Sequence, residues 1–109
     1  MKRGDVAIVV FLGELGKPRP AVIVQADELG DATTTVLACP LSSDVRDTTR
    51  LRPILEPSAH SGLRVPSQIM ADKITPLRRD RIRQQIGSLS DLECEQVDQA
   101  LLIVLGLSR

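Results

Sequence analysis

Aromatic residues are almost absent from this 109-residue sequence, which contains one phenylalanine and neither tryptophan nor tyrosine. The hydrophobic core must therefore be built from valine, isoleucine, leucine and alanine. Hydrophobic residues make up 42% of the chain, which is enough for the core of one small domain. Because Phe11 lies in an apolar run typical of a buried strand, the sequence predicts no aromatic platform on which nucleic-acid bases could stack.

Cysteine and histidine are also scarce, with two cysteines and one histidine in the chain. Cys39 and Cys94 lie in unrelated segments, and together with His60 they do not have the spacing of a zinc site or a disulfide framework. We therefore expect no metal and no cofactor, and two small hydrophobic thiols in a reducing compartment. His60 lies in a loop with proline and glycine nearby, which favours a surface position over a role as an acid or base.

The chain has no net charge and no hydrophobic run long enough to span a membrane. The short apolar run 6–12 follows a basic amino terminus, but Asp5 interrupts its approach and no small-residue cleavage site follows it. These features predict a cytoplasmic protein that forms a single domain over residues 1–109. Any contact with nucleic acid must use a local patch. The basic segment 64–83 provides a candidate, although a solvated charged face is the alternative.

The order of apolar runs and turn residues predicts five short strands. Their ranges are 6–12, 17–25, 33–39, 50–55 and 65–74. Pro40 is expected to end the third strand, and Pro53 indicates that the fourth is an edge strand. The basic segment 75–83 is predicted to form a short helical turn around Pro76.

The last element is predicted to be an amphipathic helix. The run Ser-Asp-Leu-Glu at residues 90–93 has the pattern of a capping box. Apolar residues then follow at helical spacing, namely Cys94, Val97, Leu101, Val104 and Leu105. Gly106 provides a stop signal. Because five strands precede one helix without βαβ alternation, the sequence predicts a mainly β fold, a small antiparallel β-barrel with a C-terminal α-helix packed against it.

The segment 17–20, Lys-Pro-Arg-Pro, places Arg19 between two prolines at the entrance of a strongly apolar strand. Each proline fixes its own φ at about −65°, and Pro20 also disfavours the α conformation for Arg19. A guanidinium is always charged, and its fork of donors matches a phosphate. The stretch thus predicts an arginine prepared for an anion on rigid backbone. A loop that only protects the edge of a strand is the alternative interpretation.

Further segments are informative through their order and spacing. They are 2–6 (KRGDV), 19–25 (RPAVIVQ), 39–43 (CPLSS), 62–63 (GL), 67–74 (SQIMADKI) and 86–87 (IG). Together they extend over nearly the whole chain, and they resemble the motifs of the MazF/PemK toxins of bacterial type II toxin–antitoxin pairs. The resemblance implies an SH3-like barrel of the CcdB/MazF type.

The same resemblance implies a homodimer and an endoribonuclease that cleaves single-stranded mRNA at short sequences without a metal. The family's products carry a 2′,3′-cyclic phosphate and a 5′-hydroxyl. Carried onto this sequence, the active arginine falls on Arg19, its hydroxyl partner on Ser42, and a loop glutamate used by some members on Glu14. Ser42 replaces the usual threonine, and the loop between the first two strands is shorter than in many members. The recognised RNA sequence therefore does not transfer.

The expected catalytic roles follow from the chemistry of each side chain. Arg19 suits stabilisation of phosphorane charge, because a guanidinium keeps its proton. Ser42 would orient a phosphate oxygen, and Glu14 could accept the proton of the 2′-hydroxyl. The positions expected to contact RNA are Lys17, Ser43, Arg64, Ser67, Gln68 and Lys73. A turn residue after Pro40 is the alternative for Ser42, and a solvated loop acid is the alternative for Glu14.

The resemblance also implies a cognate antitoxin, whose disordered acidic C-terminal segment would cover the RNA groove. The homodimer is expected to use apolar strand and loop surface near the fifth strand and the basic turn that follows it. The residues considered for that surface are Val65, Ile69, Ile74 and Leu77.

Two other classes of function stay open at this point. One is a CcdB-like toxin that binds DNA gyrase without enzymatic activity, and the other is an inactive barrel that only binds an antitoxin. The last residues, 107–109, lack the aromatic ending of the gyrase poisons. The pair Arg19 and Ser42 favours the nuclease over both alternatives.

Overall fold

The computed structural model of the chain describes residues 1–13, 16–46 and 50–108. These residues form a curled antiparallel sheet of seven strands and one α-helix. The strands are β1 (Asp5–Val10), β2 (Pro18–Ile23), β3 (Thr35–Ser42), β4 (Ile54–Leu55), β5 (Ser67–Ile69), β6 (Thr75–Arg78) and β7 (Ile82–Ser88), and the helix is α1 (Asp91–Val104). Short 3₁₀ turns lie at Asp27–Leu29, Ala71–Lys73 and Arg79–Arg81. The predicted mainly β fold with a C-terminal helix is confirmed.

The sheet bends at β3, because this strand pairs with three neighbours. The strand order is β4-β5-β3-β2-β1-β7, and β6 pairs with β3 outside that path. The first half of β3, residues 35–38, pairs with β6, whereas Leu41 and Ser42 pair with β5. Residues 38–40 pair with β2. The last residues of β3 are therefore positioned by β2 and β5 together.

Both faces of the central strands are buried, and each face contributes to its own hydrophobic cluster. On one face Val6, Val22 and Cys39 belong to the same cluster as Val97 and Leu101 of α1. The cluster on the other face contains Ala7, Val9, Ala21, Ile23, Val36, Ala38 and Leu77. A strand covered on both sides needs apolar side chains at consecutive positions, which explains why the first two strands do not alternate in sequence.

The predicted end of the third strand at Pro40 is wrong, because β3 continues to Ser42. Proline is tolerated in a strand where its nitrogen does not need to donate to a neighbour. The carbonyl of Pro40 still accepts a hydrogen bond from the Met70 N–H at 2.9 Å. This extension matters for function, since it places Ser42 within the sheet rather than in a loop.

The helical turn predicted for residues 75–83 is also wrong. Residues 75–78 form β6, a 3₁₀ turn follows, and β7 begins at Ile82. Pro76 lies in a strand that pairs with β3, opposite Leu37, at a position compatible with an edge strand. The strand β7, missed in the sequence, pairs with β1 through two irregularities in register.

The fourth and fifth predicted strands exist but are shorter than expected. β4 contains only Ile54 and Leu55, and it lies at one end of the strand order, which confirms the predicted edge strand. β5 contains three residues, and the chain then turns through the 3₁₀ segment Ala71–Lys73. Ile69 and Leu77, considered for a dimer surface, are only 1% and 3% exposed within the protomer. They are therefore not available to an interface.

The predicted capping box of α1 is confirmed. The Ser90 hydroxyl accepts from the Glu93 N–H at 3.2 Å, and the Glu93 carboxylate accepts from the Ser90 N–H at 2.8 Å. Val97, Ala100 and Leu101 are the buried residues of the helix. Leu105, predicted on the same face, lies at the C-cap and is exposed. The helix is thus fixed at its beginning and along one face.

Candidate active site

An open cleft of about 1010 Å³ lies where β2 begins and β3 ends. Its ionisable lining residues are Arg19, Asp44, Arg64 and Lys73, three cations and one anion. Serine residues in its lining are Ser42, Ser43 and Ser67. Apolar lining residues include Ile8, Phe11, Leu41, Leu63, Val65, Met70 and Ile86. A concave surface with an excess of positive charge and several hydroxyls suits a phosphate-containing chain.

Strand register explains why Arg19 and Ser42 lie in the same cleft. Ala21 of β2 pairs with Pro40 of β3 in an antiparallel ladder. Continuing that register by two residues on each strand brings Ser42 opposite Arg19. Residues that are distant in sequence therefore meet at one end of the ladder, where both line the cleft.

The backbone that carries Arg19 is fixed from two directions. Pro18 and Pro20 restrict the chain locally. Arg19 itself pairs with Val9, a fully buried residue of β1. The side chain of Arg19 is exposed on the cleft side of this strand entrance. Rigid backbone of this kind holds a guanidinium in place before an anion arrives.

The hydroxyl of Ser42 has a defined hydrogen-bond partner. Its oxygen accepts from the Asp44 N–H at 3.2 Å. A serine hydroxyl has one hydrogen and two lone pairs, so this contact leaves its O–H available to donate elsewhere. The carboxylate of Asp44 is held by the Arg46 guanidinium, whose Nε and NH2 both donate to Oδ2, at 3.0 and 2.7 Å.

The other expected RNA-binding residues are placed differently from one another. Ser43, Arg64 and Lys73 line the cleft and are exposed. Ser67 also lines it but is 4% exposed, and its hydroxyl donates to the Val65 carbonyl at 3.3 Å. Lys17 is exposed and is not among the lining residues of the cleft. The expected proton acceptor, Glu14, lies outside the described residues.

Gln68 lies beneath the site rather than in it. Its side chain is 0% exposed, and its amide bonds to the backbone of the loop that follows Ser42. The expected direct contact between this side chain and RNA is therefore not available in this structure. The burial of Gln68 was not predicted from the sequence. Glutamine is polar, and Gln68 lies in the segment 67–74, in which Ser67 and Lys73 were also expected to contact RNA.

Phe11 does not have the position expected from the sequence. It follows the end of β1 and is half-buried. Its ring packs against the hydrophobic cluster that contains Val9 and Ile23, and it also lines the cleft. The predicted position of Phe11 within a buried strand is wrong, because β1 ends at Val10. The sequence also did not lead to a prediction that Asp44 lines the cleft, although its position two residues after Ser42 indicated that it lies nearby.

Two arginines of the basic segment have partners outside the cleft. The Arg79 guanidinium donates to the carbonyls of Thr33 and Gly30, at 3.0 and 2.7 Å. Arg78 pairs with Asp80 at 2.7 Å on the surface. The cations that line the cleft are thus a smaller set than the basic segment of the sequence.

The cysteines and the histidine do not enter the cleft. Burial raises the pKa of the Cys39 thiol to about 12, so this thiol stays protonated at neutral pH. His60 is exposed in its loop, and its carbonyl accepts from the Ser88 N–H at 2.9 Å. A second groove, of about 720 Å³ between β4 and α1, contains neither Arg19 nor Ser42.

Comparison with known proteins identifies the fold and the family. Residues 2–105 match the family of PemK-like, MazF-like toxins of type II toxin–antitoxin systems. The chain belongs to this family. The resemblance predicted from its motifs is confirmed, and the arginine and serine described above occupy the cleft of a MazF-family toxin.

Individual relatives of this MazF-family chain agree over nearly its full length. The probable endoribonuclease MazF of Mycolicibacterium smegmatis is 36% identical over 109 residues, with 99% of both chains covered. An endoribonuclease from a mycobacterial species, solved in complex with its cognate antitoxin, superposes with a TM-score of 0.82 at 26% identity, covering 100% of this chain and 98% of that one. The Mycobacterium tuberculosis toxin MazF-mt6 has the same fold, with a TM-score of 0.82 at 20% identity, covering 96% of this chain and 99% of that one.

Within residues 1–13, 16–46 and 50–108, no group of three or more His, Cys, Asp or Glu residues could hold a metal ion. In the same part of the chain, α1 is the longest helix, and no helix is long and apolar enough to cross a membrane.

Proposed function

We propose that this MazF-family endoribonuclease toxin cleaves single-stranded mRNA at short sequences in the cytoplasm, using the RNA's own 2′-hydroxyl and no metal ion. The observation that supports this proposal is the placement of Arg19 and Ser42 together at one end of the β2–β3 ladder. A guanidinium and a hydroxyl side by side can bind one phosphate through two of its oxygens. The relatives named above supply the class of reaction.

The proposed reaction is an intramolecular displacement at phosphorus. The 2′-oxygen forms a bond to phosphorus while the bond from phosphorus to the 5′-oxygen breaks. The 2′-hydroxyl loses its proton to a base, and the leaving 5′-oxygen gains a proton from the solvent, so the step is neutral overall. The products are a 2′,3′-cyclic phosphate and a 5′-hydroxyl, so no water is consumed in this step.

Arg19 and Ser42 have separate roles in that step. Arg19 stabilises the negative charge that develops on the phosphorane oxygens. Ser42 donates its O–H to a phosphate oxygen, in the direction left open by its contact with Asp44. Glu14 remains the proposed proton acceptor.

The rest of the cleft would hold the RNA chain on both sides of the reacting phosphate. Arg64 and Lys73 attract neighbouring phosphates, while Ser43 and Lys17 extend the polar surface. Ser67 contributes as a mostly buried part of the cleft wall. The half-buried ring of Phe11 offers the one aromatic face of the chain to a base.

The proposed partners follow from the same cleft. A cognate antitoxin would inhibit the toxin by folding a disordered, acidic C-terminal segment into the cleft, where its carboxylates replace RNA phosphates. The toxin itself would act as a homodimer. Of the apolar residues considered for its interface, Val65 is exposed and Ile74 is half-buried.

Substitution of the paired residues tests the proposal. We expect Arg19→Ala to lower the rate of single-turnover RNA cleavage by about 10²–10³, because one preorganised donor to a developing charge is lost. Ser42→Ala should have a smaller effect, and Ser42→Thr should retain activity. The double variant should be little worse than Arg19→Ala, because groups that serve one phosphate act as a unit. The measurement uses purified protein in EDTA, with analysis of the fragment ends.

Arg83→Ala is a matched control, since Arg83 is an exposed arginine that does not line the cleft. Circular dichroism establishes that each variant is folded. Near-normal cleavage by folded Arg19→Ala would contradict the assignment of the active site. Fragments that carry a 3′-hydroxyl and a 5′-phosphate would contradict the proposed chemistry.

A further inference from the structure

Gln68 is a completely buried polar side chain with three hydrogen bonds to backbone. Its Oε1 accepts from the Arg46 N–H at 2.9 Å. Its Nε2 donates to the Arg46 carbonyl at 2.6 Å and to the Arg52 carbonyl at 3.3 Å. Both donor hydrogens and the acceptor of the amide therefore have partners in the backbone of one loop.

These contacts fix both sides of the loop that connects β3 to β4. The backbone of Gln68 lies between the two strands, opposite Ser42 on one side and Ile54 on the other. Its side chain holds Arg46 on the outgoing side and Arg52 on the returning side. A single buried amide thus connects the backbone of Arg46 and Arg52 to β5.

A short chain of contacts leads from this amide to the proposed active site. Gln68 holds the backbone of Arg46, which is only two residues from Asp44 along the chain, and the exposed ion pair between the Arg46 and Asp44 side chains adds little to this connection. The N–H of Asp44 in turn donates to the hydroxyl oxygen of Ser42. Displacement of Arg46 would therefore release Asp44, the residue whose N–H holds the Ser42 hydroxyl oxygen.

We infer that Gln68 is a positioning residue, which fixes the catalytic hydroxyl of Ser42 through the clamped backbone of Arg46. The inference rests on the proposed function, since it concerns the same phosphate-binding hydroxyl. Its physical basis is the cost of leaving buried polar groups unpaired. Without the amide, the Arg46 N–H and the two carbonyls regain partners by moving the loop outward into water.

The first test measures the clamp without any RNA. In Gln68→Met, the side chain keeps nearly the same length but neither donates nor accepts as an amide does. We expect amide hydrogen exchange at Arg46 and Asp44 to accelerate at least tenfold in this variant, while exchange in the paired strands β1 and β2 stays unchanged. Unchanged protection of the Arg46 amide would overturn the clamp.

The second test measures positioning by a double-mutant cycle. Gln68→Met should lower kcat about tenfold or more, with KM nearly constant, because a displaced catalytic group is misaligned while phosphate binding by the cations persists. In a Ser42→Ala background, the same substitution should cause no further loss of kcat. An equal loss in both backgrounds would overturn the inference.

Ile69→Val is a matched control on the same strand. Ile69 is 1% exposed and belongs to the same hydrophobic cluster as Val6 and Val97. The substitution should therefore destabilise the fold by a packing defect, while the hydrogen bonds of the Gln68 side chain stay intact. We expect its melting temperature to fall while its kcat stays at the native value. A fall in kcat equal to that of Gln68→Met would overturn the assignment of Gln68 to positioning.

A further variant covers the case in which Gln68→Met does not fold. Gln68→Asn keeps a polar amide that is one methylene shorter, and it should show the same acceleration of exchange and the same loss of kcat. If the native chain cleaves no RNA, the proposed function fails. Exchange at Arg46 still decides whether Gln68 clamps the loop.

Discussion

At the residue scale, the ion pair between Arg52 and Asp72 fixes the returning side of the same loop. Arg52 Nε donates to Asp72 Oδ1 and Arg52 NH2 donates to Oδ2, each at 3.0 Å. The two side chains are 18% and 32% exposed, so the pair is partly shielded from solvent. Hydrogen bonds from Arg52 hold the pKa of the Asp72 carboxyl below its ordinary value of 3.8. The pair connects the loop to the 3₁₀ turn that carries Lys73 of the cleft.

Removal of the negative charge of Asp72 should change the free energy of unfolding by an amount that depends on pH. We expect Asp72→Asn to lower the free energy of unfolding at neutral pH by about 0.5–1 kcal/mol, as for a well-aligned surface pair. Because the folded-state pKa of Asp72 is lowered, its contribution is fully present above the ordinary value and is lost as the pH falls through the lowered value. Urea unfolding of both proteins from neutral to acid pH measures the difference, which should begin to shrink near the ordinary value of 3.8 and disappear only below the lowered pKa of Asp72.

Asp80→Asn is the control for that measurement. Asp80 pairs with Arg78 at 2.7 Å, but the side chains are 60% and 68% exposed. An exposed pair of this kind should contribute little at any pH. A stability difference for Asp72→Asn that stays constant into strong acid would contradict the assignment of the effect to ionisation.

At the element scale, α1 depends on the capping box at its first turn. Ser90→Ala removes the acceptor of the Glu93 N–H, so we expect the free energy of unfolding to fall by about 1 kcal/mol. The helix packs on the core cluster and contributes no residue to the cleft. Urea unfolding should therefore show the loss, while RNA cleavage under folding conditions stays unchanged.

Ser108→Ala provides the comparison for the cap, because Ser108 is an exposed serine beyond the helix. Its stability should equal that of the native chain. Equal stability of Ser90→Ala and the native chain would show that the cap adds nothing to the folded state.

At the scale of the whole molecule, the proposed antitoxin and RNA would compete for one cationic cleft. We expect charge reversal at Arg64 and Lys73 to weaken inhibition by the acidic C-terminal segment of the antitoxin, because both cations line the cleft. Titration of a peptide of that segment against toxin and RNA measures the effect. Lys2→Glu serves as the control, since Lys2 is exposed and lies outside the cleft.

Deletion of the acidic segment from the antitoxin provides a further test of this competition. Inhibition that persists after deletion of the acidic segment of the antitoxin, together with unchanged binding to the charge-reversed toxin, would contradict it.

The proposed homodimer is tested by sedimentation at micromolar concentration. We expect a dimer, and we expect Val65→Asp to shift it toward monomer, because a charge would replace a 52% exposed apolar side chain near β5. Leu29→Asp is the matched control, since Leu29 is 46% exposed in the turn at Asp27–Leu29. A monomeric native protein would contradict the proposal.

Local patterns in the sequence were sufficient to predict those features of the structure that depend only on residues close together in the chain. The capping box needs only Ser90 and Glu93 at a fixed spacing, and it formed as predicted. The rigid entrance at Arg19 depends on two adjacent prolines. Apolar runs identified β1 and β2, because strands buried on both faces leave a continuous hydrophobic signal. The motifs, read in order, also identified the family.

Long-range pairing was decided by the tertiary structure alone. The residues of β7 alternate weakly and carry several polar side chains, and the strand forms because β1 offers it an edge. Thr75–Arg78 contains a proline, which is disfavoured within sheets, yet pairing with β3 makes this segment a strand. In both cases, hydrogen bonds between residues far apart in the chain outweigh the local secondary-structure propensity.

The same division applies to the site. The sequence by itself determined which side chains can offer charge and hydrogen bonds to a phosphodiester, since a guanidinium and a hydroxyl are properties of Arg19 and Ser42 themselves. Only the tertiary structure decided that the β2–β3 register brings the two together, that Phe11 reaches the cleft, and that Gln68 lies beneath it with its amide holding a loop. Register and burial depend on contacts across the whole fold, and no local pattern encodes them.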